Sequence, residues 1–106
     1  MKNKVLTLLG FAAKAGRLGF GMKVTADALK SGKSKLVVMA EDVSPKSQKE
    51  VLFFSHNKNI PVKTLNDTTI TEVSEAVGRK CGIISVNDTG FADAIFNITG
   101  GNANDQ

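Results

Sequence analysis

Lys35-Leu36-Val37-Val38-Met39-Ala40-Glu41-Asp42-Val43-Ser44-Pro45 decides the fold of this 106-residue chain. Apolar residues follow one another without a break from Leu36 to Ala40, the pattern of a strand covered on both faces rather than one. The acidic turn at residues 41–44 ends that strand. Ser44 is placed to cap a helix, and Pro45 suits a helix's first turn, where its missing N–H costs nothing. A strand covered on both faces needs an apolar layer above it and another below. This stretch therefore already asks for an α/β domain with helices on both sides of a sheet.

Toward the C-terminus the helix led by Pro45 is expected to turn Val51, Leu52 and Phe54 inward and to close at Asn57-Lys58-Asn59. Ile60-Pro61-Val62-Lys63-Thr64-Leu65 reads as a second strand, with Pro61 fitting a strand start or an edge. Asp67 or Thr68 is the expected cap of a helix running to Val77, with Gly78 as its stop. Cys81-Gly82-Ile83-Ile84-Ser85-Val86 is a third apolar strand. Asn87-Asp88-Thr89-Gly90 is a turn, and residues 91–98 form a last helix with Phe91, Ala94, Ile95 and Ile98 apolar. Residues 100–106 are polar and aperiodic, as in a disordered tail, so a single domain is expected over residues 1–99.

Toward the N-terminus Val5, Leu8, Leu9, Ala12 and Ala13 form one helical stripe. Asn3 is a candidate cap for that helix and Gly16 its stop. Arg17-Leu18-Gly19-Phe20 is a short extended link or edge strand. Residues 22–30 make a second helix, with Met22, Ala26 and Leu29 inward and Gly32 at its end.

Charge is unevenly placed. The net charge of the chain is +4. Residues 1–35 carry eight basic residues against one acidic, Asp27, while the remainder carries six basic against nine acidic. This asymmetry predicts one positive face, and a phosphate backbone is the commonest partner for such a face.

Other chemistries lack their residues. The lone Cys81 excludes an internal disulfide and a cysteine-cluster metal site, and it fits a reducing cytosol. His56 has no partner at ligand spacing. The basic start and apolar residues 5–13 faintly resemble a secretory leader, but Thr7, Gly10 and Lys14 interrupt that pattern. No apolar run approaches the ~18 residues of a membrane span. Gly19-Phe20-Gly21 lacks the third glycine of the dinucleotide fingerprint, and Gly32-Lys33-Ser34 precedes a strand instead of following one. Glu41-Asp42 lacks the later Asp and Lys that a phosphoacceptor site needs. Cys81 lacks a base to activate it. With no Trp, no Tyr and six Phe, a surface platform of aromatic rings for unpaired bases is not expected. No enzyme, metal or cofactor is implied.

The segment from Gly21 onward has the physics of an anion site. A helix that begins at glycine presents its first N–H groups with no side chain in the way, and its dipole favours phosphate there. Lys14, Arg17 and Lys23 lie near in sequence. Arg79-Lys80 forms a second basic pair before the last strand. If the two groups meet in space, they clamp a bent RNA backbone.

Taken together, Gly10-Phe11-Ala12-Ala13-Lys14-Ala15-Gly16-Arg17-Leu18, the run from Ala28 to Pro45, Asn59-Ile60-Pro61-Val62, Val77-Gly78-Arg79-Lys80 and Asn87-Asp88-Thr89-Gly90-Phe91-Ala92 resemble the bacterial YlxQ-type branch of the L7Ae, L30e, S12e and Gadd ribosomal-protein family. The resemblance spans residues 3–98. It implies a three-layer α/β/α sandwich around a mixed four-stranded sheet. It also implies a cytoplasmic, monomeric, non-enzymatic protein that binds structured RNA, kink-turn-like or ribosomal, near ribosome-associated proteins.

In kink-turn binders of this family the second helix begins with glycine, a small residue, then an Asn-Glu pair that reads sheared G·A pairs, with a lysine further along. Here Gly21 matches the glycine and Met22 takes the small position. Lys23 and Val24 stand in the Asn-Glu positions and Asp27 in the lysine position. Arg79, Lys80, Cys81 and Gly82 match the loop that holds flipped-out bases. Val24 cannot accept a hydrogen bond from a base edge and Asp27 repels phosphate, so backbone contacts through Lys23 are expected to outweigh base reading. The rival expectation is a protein-interaction module of the Gadd type on the same scaffold, using the more acidic remainder of the chain.

Overall fold

Leu36–Ala40 forms strand β2, and all five residues are buried. Covering it takes helices on both faces of a sheet. The computed structural model describes residues 2–100, so of the tail expected at residues 100–106 all but Gly100 lies outside the described residues. In chain order the elements are α1 (Lys2–Lys14), β1 (Leu18–Phe20), α2 (Met22–Ser31), β2, α3 (Pro45–Asn57), β3 (Val62–Leu65), α4 (Ile70–Val77), β4 (Ile83–Val86) and α5 (Thr89–Ile98).

The sheet order is β1-β4-β2-β3. Strand β4 pairs antiparallel with β1, Leu18 opposite Val86, and antiparallel with β2, Leu36 also opposite Val86. β2 and β3 run parallel, Val37 opposite Val62. Helix α1 packs on α4 and α5, while α2 packs on α3. The mixed four-stranded sheet thus lies between two helical layers, the expected three-layer α/β/α sandwich. Its core includes Leu9, Leu29, Val37, Met39, Ile84 and Ile95. Helices α1 and α4 approach closely at Gly10, where an added Cβ would lie 3.0 Å from the Ala76 carbonyl oxygen.

Both outer strands are short. β1 has three residues. β3 has four, and Pro61, just before it, lends its carbonyl to the Val37 N–H at 3.0 Å. Lys63 of β3 is buried, its ammonium 4.7 Å from the centre of the Phe96 ring on α5.

Several local expectations need correction. Leu52 is 51% exposed and does not join the inner face of α3; Val51 and Ser55 are its buried residues. At 100° per residue, Val51 and Ser55 lie one turn apart on one face, and Leu52 is carried past it. The cap of α4 is Thr69, not Asp67 or Thr68. Its hydroxyl accepts the Glu72 N–H while the Glu72 carboxylate accepts the Thr69 N–H, a reciprocal capping box. Asp67 is in a left-handed turn with φ 58°. Asn3 does not cap α1, since the helix already includes Lys2. Helix α5 begins at Thr89, inside the expected turn, because the Asp88 carboxylate accepts the Phe91 N–H at 2.9 Å. The last strand begins at Ile83, two residues after Cys81.

The acidic turn after β2 is a structural link. Glu41 accepts the Asp67 N–H at 3.0 Å, and Asp42 accepts the Ile70 N–H at 2.8 Å, where a negative charge suits the start of α4.

Burial at the sheet centre and exposure on α3 give opposite expectations for two truncations. Ile84→Ala, at a fully buried position, should cost about 2–5 kcal/mol. Leu52→Ala should stay within about 0.5 kcal/mol of the parent. Urea unfolding of both variants checks this; equal losses would contradict the observed face of α3.

Candidate nucleic-acid interface

Helix α2 begins without a side-chain cap. Gly21 precedes it with φ 92° and ψ 168°, a backbone shape that L side chains rarely adopt, and no side chain accepts from its first turn. The first N–H groups of any α-helix lack intrahelical partners. The side of Gly21 where a side chain would stand is open, since a Cβ built there would meet nothing within 4 Å. The Gly21 N–H itself is committed, donating to the Ile83 carbonyl at 2.9 Å. This bond sets the uncapped terminus beside the start of β4.

The basic loop before β4 arrives at the same place. Gly78 closes α4 in the left-handed region, and the N–H groups of Gly78 and Arg79 both donate to the Ser74 carbonyl. The Ser74 hydroxyl accepts the Cys81 N–H at 3.0 Å and lies 3.1 Å from the Cys81 carbonyl oxygen. The turn is thus held at both ends while Arg79 and Lys80 stay exposed. The Arg79 guanidinium lies 5.2 Å from the centre of the Phe20 ring, one residue before Gly21. A groove of about 470 Å³ runs between α1 and α4, lined among others by Lys14, Phe20, Glu75 and Arg79.

The structure therefore brings together Lys14, Gly21 and Arg79, with Met22 and Lys23 on the first turn of α2 and Lys80 next to Arg79 in the chain. It does not bring Arg17 to them. Arg17 precedes the opposite end of β1, four extended residues or about 13 Å of chain from Gly21, and its side chain faces Asp88 at 4.0 Å. Lys33 and Lys35 lie near that far end as well, the Lys35 N–H donating to the Val86 carbonyl. The basic N-terminal third is not one face, because α1 and α2 belong to opposite layers.

On α2, Lys23 and Asp27 stand 4.0 Å apart, both well exposed. An i,i+4 pair in open solvent is weak and leaves Lys23 able to exchange Asp27 for phosphate. Val24 is 48% exposed beside them and offers no polar atom.

Two loop residues face inward. Cys81 is buried, and burial pushes its thiol above the usual thiol range, with the Arg79 cation pulling part of the way back. A Cβ on Gly82 would lie 2.7 Å from Ile70 Cγ1 and 3.1 Å from Val43 Cγ2, so close packing requires glycine there. Phe20 and Glu75 are site neighbours that sequence reasoning did not single out. Phe20 had one available signal, its position immediately before Gly21 in an edge strand. Glu75 had none, since its place on the groove depends on how α1 crosses α4. Among the described residues no His, Cys, Asp or Glu cluster could hold a metal ion, and no helix is long and apolar enough to cross a membrane.

The family model of the ribosomal protein L7Ae/L30e/S12e/Gadd45 family matches residues 3–95. The chain is 29% identical over 91 residues to RNA-binding protein YlxQ of Enterococcus faecium, covering 86% of each chain. It is 31% identical over 81 residues to large ribosomal subunit protein eL30 of Methanothermobacter thermautotrophicus, covering 74% of this chain and 82% of that one. Among solved structures, a protein of unknown function from Bacillus halodurans C superposes with a TM-score of 0.85 at 29% identity, covering 91% of this chain and 96% of that one. The Giardia lamblia 15.5kD RNA binding protein shares the fold with a TM-score of 0.74 at 17% identity, covering 93% and 84%.

The loop geometry is testable through its thiol. Only the thiolate attacks an alkylating reagent. Iodoacetamide should therefore label Cys81 in the native protein far more slowly than in guanidinium, with the native rate rising only at a pH above that of a free cysteine. Equal rates in the two conditions would mean that the loop does not bury Cys81.

Proposed function

The chain belongs to the ribosomal protein L7Ae/L30e/S12e/Gadd45 family, and from that premise we propose that it is a non-enzymatic, cytoplasmic RNA-binding protein. Its ligand is structured RNA, kink-turn-like or ribosomal, held between the N-terminus of α2 and the basic loop before β4. The observation that carries this reading is the adjacency of an uncapped helix start at Gly21 to the Arg79 guanidinium, through Phe20. Free N–H groups and a positive dipole end bind one phosphate. Lys14, Lys23, Arg79 and Lys80 neutralise its neighbours, and Met22 anchors the helix start against the core. Cys81 and Gly82 serve by shaping the loop, and Arg17 meets RNA that extends along β1. The names of the relatives, an RNA-binding protein and a large-subunit ribosomal protein, support the same class of partner. The protein acts as a monomer in the company of ribosome-associated proteins.

With Val24 and Asp27 on α2, affinity comes from the phosphate backbone more than from base edges. A second reading, a protein-interaction module, draws support from Leu52 and Phe53, which stand side by side on α3 at 51% and 63% exposure. A partner that copurifies after nuclease treatment would favour it.

Four cations on the backbone predict a log–log salt dependence of binding near −3. In Lys23→Glu with Arg79→Glu the slope should fall toward about −1.5 and affinity should drop, while thermal unfolding stays unchanged because both side chains are exposed. Filter binding to structured RNA between low and moderate salt measures both quantities. A flat slope, or no binding at low salt, would sink the reading.

A further inference from the structure

Helix α3 breaks two ordinary rules on one face. Val51 and Ser55 are the residues it buries. At about 100° per residue Phe53 points nearly opposite them, along the middle of the solvent side. It is 63% exposed, with Leu52 exposed beside it. Lys49 lies one turn before Phe53 and Lys46 two turns before, so the three share one line of the helix. Lys46 stands in the first turn, where the helix dipole favours an acidic residue over a cation. Helix α4 keeps that rule with Glu72. Thus α3 is apolar where water asks for polarity and basic where its own dipole asks for acid. Neither choice helps the chain by itself, and local agreement of this kind is given up mainly where a surface has another task. The patch is also anchored. The Phe53 ring meets Phe54 edge-on, with centres 5.6 Å apart, and Phe54 packs against the core. Lys30 of α2 stands 5.3 Å over the Phe54 ring and brings a third cation. The carboxylate on α3 is Glu50, and Asp27 on α2 faces Lys23.

We propose that this face of α3 docks an acidic amphipathic helix of a partner protein, whose apolar side chains cover Leu52 and Phe53 and whose carboxylates meet Lys46, Lys49 and Lys30. The proposal stands beside the RNA-binding reading and uses neither Gly21 nor Arg79. An apolar centre with a charged rim is the anatomy of a protein interface, and an amphipathic helix laid on such a surface is a recurring way to fill it. Charge complementarity selects an acidic partner and speeds the encounter. Other occupants fit less well. A second copy related by a two-fold axis would set Lys46 and Lys49 against their own like charges. A lipid surface needs more apolar area than two side chains supply, since even a single myristoyl chain anchors only marginally. An RNA backbone would take the lysines but gains nothing from the aliphatic Leu52. The patch is small, so the contact it makes is a transient one.

The test uses the full chain and a fluorescently labelled helical peptide of roughly four turns, with Leu and Phe at i, i+3, i+4 and i+7 and Glu at the flanking positions. One control peptide keeps the apolar residues and carries Lys in place of Glu. The other keeps Glu and carries Ser in place of the apolar residues. By fluorescence anisotropy the parent should bind the acidic apolar peptide roughly tenfold or more tightly than either control. Leu52→Ser with Phe53→Ser should lose roughly tenfold of that affinity while RNA binding and thermal unfolding stay unchanged. Lys46→Glu with Lys49→Glu should reverse the choice between the acidic and the basic peptide, and it decides alone if the serine variant fails to fold. Equal binding of the three peptides, or an unchanged affinity in the serine variant, overturns the proposal and leaves RNA binding standing. Three further results overturn it by naming another occupant. They are a loss of RNA affinity in the serine variant, a loss in that variant of binding to phosphatidylserine vesicles, and a parent dimer in sedimentation that the variant dissolves.

Discussion

Strand β4 is paired along both edges and buried along its whole length. Water cannot reach its peptide groups, so neighbouring strands must satisfy every donor and acceptor on it. That requirement explains β1, a strand of three residues with little core of its own. It also explains the bond that continues the ladder past β1, from the Gly21 N–H to the Ile83 carbonyl. On the other side the Ala40 N–H reaches the Gly82 carbonyl at 2.9 Å and ties β2 to the loop. The start of α2, the loop at residues 79–82 and the end of β2 thus converge on one point because β4 has to be closed. The candidate interface is a consequence of that closure.

The sandwich was legible because β2 is apolar at five consecutive positions, and a strand written that way has no solvent face. Gly21 and Arg79-Lys80 stand out in the sequence, and the structure sets the two segments side by side through Phe20. What could not be read was which cations share a surface. Lys14 and Lys23 belong to different helical layers, and Arg17 lies close to Gly21 in sequence yet at the far end of β1. Such facts follow from strand order, which the sequence does not print. Other misses were avoidable. Thr69-Ile70-Thr71-Glu72 carries the capping-box signature, and Asp88 stands three residues before the N–H it accepts. Leu52 misled because α3 is apolar at four successive positions, Val51 to Phe54, while only part of its circumference meets the sheet.

The acidic pair Glu41-Asp42 and the hydroxyl of Ser74 show polar residues used as fasteners. Glu41 and Asp42 accept main-chain N–H groups of the segment before α4, and Ser74 accepts one from the loop after it, so the loops next to the candidate interface keep their shape. A binding surface made of backbone N–H groups and exposed cations needs such support, since it contributes little apolar burial of its own. Rigidity there comes from hydrogen bonds behind the candidate surface.

The two outer strands have a consequence for the molecule among its own copies. An open strand edge is a template for another chain, and long flat edges lead to end-to-end growth of sheets into fibres. Here β1 is three residues long with Gly19 at its middle. β3 is headed by a proline and turns a lysine inward. Neither edge gives an incoming strand enough length to register. The molecule is thereby protected against polymerising on itself, and that protection lies in the brevity of its least conspicuous elements.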